Sequence, residues 1–74
     1  MTIYHVEAFD ENYELQSTFI TTDFRHALKE GKKMYKYQDA LIVYLNYWED
    51  ERITMIRVIN EDGKLNEDED NEDD

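Results

Sequence analysis

This 74-residue sequence predicts an α+β fold of order ββαββ, a four-stranded, mainly antiparallel sheet with one helix packed on one face. Three observations predict it. Two stretches near the start alternate apolar and polar residues, the period of a half-buried strand. The middle of the chain changes to a helical period, with apolar residues three and four apart. Two apolar runs rich in β-branched residues then flank an acidic turn.

The elements follow in order. Residues 2–9 (TIYHVEAF) set Tyr4, Val6 and Ala8 against His5 and Glu7. The polar stretch DENYE, 10–14, reads as a turn, and residues 15–21 (LQSTFIT) alternate again through Leu15, Ser17 and Phe19. The pair is a hairpin, although no Asn-Gly or Asp-Gly specifies its turn type. Phe24, Ala27, Leu28, Gly31 and Tyr35, with Met34 beside them, form one apolar stripe along a helix. Arg25, His26, Lys29, Lys32, Lys33 and Lys36 occupy its other side. Thr22 or Asp23 can cap its N-terminus by accepting from free backbone N–H groups. Gly31 lowers helix propensity, so its missing side chain points to a close helix–sheet approach.

The run ALIVYLNYW, 40–48, is apolar on both faces and reads as a central strand. Its alternation puts Leu41, Val43 and Leu45 on one side and Ile42, Tyr44 and Trp48 on the other. Glu49, Asp50 and Glu51 turn the chain into RITMIRVI, 52–59, the fourth strand. Asn60 to Gly63 is an exit turn in which Gly63 supplies a positive φ. One helix covers one sheet face, so the other stays open unless a partner covers it. The domain is expected to span residues 1–64, with 65–74 a disordered acidic tail because its composition leaves almost nothing to bury.

The chain carries nineteen acidic residues, eight basic residues and no cysteine. Without cysteine there is neither disulfide stapling nor a thiolate metal site. A chain near this size buries only ~60% of its unfolded surface, so dimerisation through an open face or edge is one expected route to extra stability. The first residues have no basic region before an apolar one, and no apolar run is long enough to span a bilayer. A soluble cytoplasmic protein is the expectation. Seven carboxylates fall in LNEDEDNEDD, 65–74, whereas residues 23–37 hold five basic residues against Asp23 and Glu30. This field repels nucleic acid and membranes and attracts basic partners.

No catalytic constellation emerges. Ser17 is the sole serine, and neither histidine has an evident catalytic companion. His5 and Glu7 share a strand face but make only two of the ligands a metal site needs. His26 and Glu30 have the spacing of an ordinary helical side-chain contact. The alternating acids of the tail lack the glycine and terminal glutamate of a calcium loop. The expectation is a protein that is not an enzyme and takes no cofactor or metal.

Acidic residues and aromatics together give the functional reading. Asp10, Glu11 and Glu14 cluster in one turn and Glu49, Asp50 and Glu51 in another; Glu61 and Asp62 follow the last strand. Tyr44, Tyr47 and Trp48 lie next to the second cluster, and such side chains are enriched at binding hot spots. In its size, charge, lack of cysteine and the stretches DENYE, WEDE and NEDEDNEDD, the chain resembles small acidic phage-encoded inhibitors that mimic DNA. These include anti-CRISPR, anti-restriction and uracil-DNA glycosylase inhibitor proteins. The resemblance implies a non-enzymatic inhibitor of a basic nucleic-acid-binding protein or nuclease, with no direct nucleic-acid or membrane binding. The residues themselves give the nine turn acids and aromatics just named, Glu61 and Asp62 apart, as partner contacts. The alternative is a small structural or regulatory interaction module, homodimeric or not, with a solubilising tail.

Overall fold

A computed structural model of the chain describes residues 1–66. The fold is α+β with order ββαββ: β1 (Ile3–Phe9), β2 (Leu15–Thr21), α1 (Phe24–Tyr37), β3 (Ile42–Glu49) and β4 (Arg52–Ile59). The strands form one sheet in the order β2-β1-β3-β4, every neighbouring pair antiparallel. Among the described residues, no helix is long and apolar enough to cross a membrane.

Side chains alternate across a strand, so the register assigns each to a face. Tyr4, Val6 and Ala8 of β1 stand opposite Tyr47, Leu45 and Val43 of β3, and Val43 stands opposite Ile59 of β4. This is the face that α1 covers. Val6, Ala8, Val43, Leu45 and Ile59 are fully buried against Ala27 and Met34 of the helix. Gly31 is the point of closest approach: a Cβ there would lie 2.6 Å from Ile59 Cδ1. Asp23 caps the helix by accepting from His26 N at 3.2 Å. At the other end the Tyr35 hydroxyl donates to Ile59 O at 2.6 Å and accepts from Val43 N at 3.1 Å, joining α1 to β3 and β4.

The sequence expectations differ from the structure in three places. β3 begins at Ile42, because Asp39 reverses the chain in the left-handed region (φ 52°) and Leu41 N donates to Phe9 O. Leu41 is therefore 58% exposed rather than aligned with Val43 and Leu45. Glu49 ends β3, leaving Asp50 and Glu51 alone as the turn. Leu65 and Asn66, which composition assigns to the tail, belong to the folded unit. Leu65 pairs with Ile59 and packs against the core, and Asn66 N donates to Val58 O at 2.8 Å. The rest of the expected tail, 67–74, lies outside the described residues.

A candidate protein-binding face

Among the described residues, no helix lies over the opposite face of the sheet. The register places Ile3, His5, Glu7 and Phe9 of β1 on it, beside Leu15 and Ile20 of β2. Ile42, Tyr44, Asn46 and Trp48 of β3 follow, then Ile53, Ile56 and Val58 of β4. Ile20 and Ile56 are 64% and 56% exposed, and Ile3, Leu15 and Ile53 are also open to solvent. Exposed apolar side chains gathered on one face mark interaction sites. One polar pair sits at its centre. Asn46, 4% exposed, donates to Glu7 Oε1 at 2.7 Å, so a buried amide is satisfied where neighbouring side chains close over it. Glu7 is thereby engaged with Asn46 rather than with His5.

The aromatics expected to act together separate. Tyr44 and Trp48 lie on the open face, where Tyr44 packs edge-on against Phe9 with centroids 5.7 Å apart. Tyr47 points to the helix side and meets Tyr4 at 5.4 Å and Phe24 at 6.4 Å. Burial raises the Tyr47 pKa above its ordinary value, with Arg57 opposing the shift. Burial likewise raises that of Tyr35. The alternation of β3 carries this split, since 44 and 48 share a parity that 47 lacks.

The acidic turns also separate. β1 runs antiparallel to both neighbours, so its turn into β2 and the β3–β4 turn lie at opposite ends of the sheet. Seven residues of β1 at ~3.3 Å each put them roughly 23 Å apart. Asp10 organises its own turn: it accepts from Asn12 N at 2.8 Å, Glu14 N at 2.9 Å and Gln16 Nε2 at 2.8 Å. This shapes a hairpin that has no Asn-Gly. Tyr13 completes the turn at φ 60°. Glu49 accepts from Thr2 Oγ1 at 2.6 Å.

Glu11, Glu14, Asp50 and Glu51 form no side-chain hydrogen bond or ion pair with other described residues. The ion pairs among the described residues are those of Glu30 with His26 at 3.6 Å and Lys33 at 3.5 Å. The helix's basic residues therefore leave the turns un-neutralised.

The fold adds acids that sequence proximity did not group. Asp39 joins Asp10 and Glu11 around one cleft, and Glu61 and Asp62 line another, with exposed Leu41 between them. Only the strand order brings 10, 39 and 61 to one end. Compared with known proteins, the chain matches no family model, no curated protein and no solved structure.

Proposed function

We propose that this protein is a non-enzymatic inhibitor that binds a basic nucleic-acid-handling protein, with carboxylates taking the places of phosphates. One observation carries the reading: carboxylates without side-chain partners among the described residues stand at both ends of a sheet face that α1 does not cover, while five of the chain's eight basic residues lie on the helix behind the sheet. Phosphates of one strand rise ~3.4 Å per nucleotide along the duplex axis, so clusters roughly 23 Å apart match an axial separation of about seven nucleotides. A basic groove meeting them would release its own counterions, and the exposed isoleucines and Trp48 would supply apolar contact. The test is capture from nuclease-treated bacterial lysate by residues 1–74 and by residues 1–66, with duplex DNA and rising salt as separate challenges. Bound nucleic-acid enzymes displaced by DNA, and lost on E11Q/E14Q substitution, are the expected result. Partners indifferent to DNA overturn it.

A second reading rests on the exposed isoleucines: an interaction module that pairs sheet face to sheet face with another copy. Sedimentation equilibrium separates the two. A dimer that tolerates high salt and dissociates on Ile56→Asp favours the module; a monomer favours the inhibitor.

A further inference from the structure

At the β3–β4 end of the open face lies a cleft of about 400 Å³ whose lining includes Ile3, His5, Ile20, Trp48, Asp50 and Glu51. We propose that this cleft seats a cationic side chain, an arginine or lysine of the partner. The proposal deepens the reading above, on which it rests, by naming the group that anchors the complex. Ile3, Ile20 and Trp48 offer apolar walls to an alkyl stem, and long cationic side chains bury their stems in this way while keeping the charge at the mouth. Asp50 and Glu51 also border the cleft and bring two carboxylates to its end of the face, and Trp48 adds an aromatic ring that a cation can approach.

The occupant follows from charge. An anion would meet two carboxylates, and a neutral apolar group would leave them unused. A second copy would bring further acidic turns toward these, each chain carrying a net charge of −11. Asp50 and Glu51 both take positive φ, 53° and 69°, as a two-residue mirror-image turn requires. Asn-Gly and Asp-Gly are pairs that such a turn favours, so Asp50 suits its position and Glu51 stands where glycine is preferred.

Trp48 is the only tryptophan of the chain, so its emission reports directly on the cleft. The full chain is titrated with n-butylguanidinium, n-butanol and butyrate at constant ionic strength. A saturable change with butylguanidinium is expected, half-saturating at least tenfold below butanol, with no saturable change from butyrate. Asp50→Asn combined with Glu51→Gly removes both carboxylates while installing the favoured turn pair, and a thermal melt verifies the fold. In that variant the cation and the alcohol should agree within twofold.

Equal binding of cation and alcohol by the unaltered chain overturns the proposal. So does a cation preference that survives in the double variant, or a Trp48 signal that never saturates. Capture of a DNA-displaceable partner by the double variant at full strength overturns the anchor but leaves the inhibitor reading intact. Saturable cation binding without any DNA-displaceable partner supports the cleft and overturns the inhibitor reading.

Discussion

Replacing Gly31 by alanine places two effects of similar size in opposition. An alanine in the helix interior is favoured over glycine by about 1 kcal/mol. Against this, the new Cβ would stand 2.6 Å from Ile59 Cδ1 and 3.1 Å from Ile59 Cγ2, where carbon atoms ordinarily rest ~3.5–4.0 Å apart. Cδ1 ends a side chain and could swing away on a surface. Ile59 is 0% exposed, however, and sits among Val43, Leu45 and Met34, so its motion displaces other core atoms. Overpacking of this kind costs about 1–3 kcal/mol. The expected net effect of Gly31→Ala is a destabilisation of about 1 kcal/mol, read from urea melts followed by far-UV circular dichroism.

Ile59→Val removes Cδ1 and alone should cost about 0.5–1.5 kcal/mol. In that background the worst contact is gone and the propensity gain remains, so Gly31→Ala should become neutral or stabilising. The expected coupling is about 1–2 kcal/mol, within the range found for touching residues. Strict additivity, or a Gly31→Ala variant more stable than the parent, would refute the idea that glycine is present for close helix–sheet approach.

Four further outcomes are expected. Tyr35→Phe leaves Ile59 O and Val43 N without their partner and should cost about 1–3 kcal/mol in the same melts. Tyr35 and Tyr47 both have pKa values raised above 10.0, mainly by burial, so the folded state holds these protons more tightly than the unfolded one. Their contribution is fully present below pH 10 and is lost as pH rises through the folded values; urea midpoints should therefore fall on the alkaline side, less so in Tyr35→Phe. Asp23→Ala removes the bond to His26 N and should cost about 1 kcal/mol, whereas Thr22→Ala should leave the urea midpoint nearly unchanged. Ile56→Thr, on the open face, should change stability by no more than about 0.5 kcal/mol yet weaken partner capture measurably.

Periodicity made most of the fold legible. The helical stripe from Phe24 to Tyr35, the alternation in β1 and β2 and the apolar, β-branched run of β4 are local signals, and the structure places those elements where they predict. The errors share a physical origin. Ala40 and Leu41 are apolar and so read as strand, but a left-handed Asp39 makes them a turn. Leu65 is one apolar residue at the edge of an acidic run, and composition averaged over ten residues hides the single side chain that packs against the core. The site was less legible because it depends on strand order. Neither the separation of the two acidic turns nor the meeting of Asp10, Asp39 and Glu61 at one end has a local sequence signal. Asp10 and Glu49 looked like Glu11 and Asp50 in sequence, and only the hydrogen bonds show that their carboxylates already serve the fold.

That difference among the acids argues against a purely solubilising role for the turns. A carboxylate placed only for solubility can stand anywhere exposed, and the most economical backbone position is one that any residue adopts. Glu51 instead sits at φ 69°, in a conformation that disfavours a residue with a Cβ by about 1–2 kcal/mol and that glycine adopts freely. The helix's lysines, which could offset nearby acids, stand behind the sheet, and Lys33 pairs with Glu30 on its own element. The fold therefore holds Glu51 against its backbone preference, and among the described residues Asp50 and Glu51 form no ion pair, beside a cleft with an indole in its wall. In a stand-alone domain glycine would be the less strained choice at position 51. On the proposed reading, a partner's positive charge at this cleft offsets that strain, and recognition is then expected to concentrate at the β3–β4 turn rather than at the more numerous carboxylates of the chain's end.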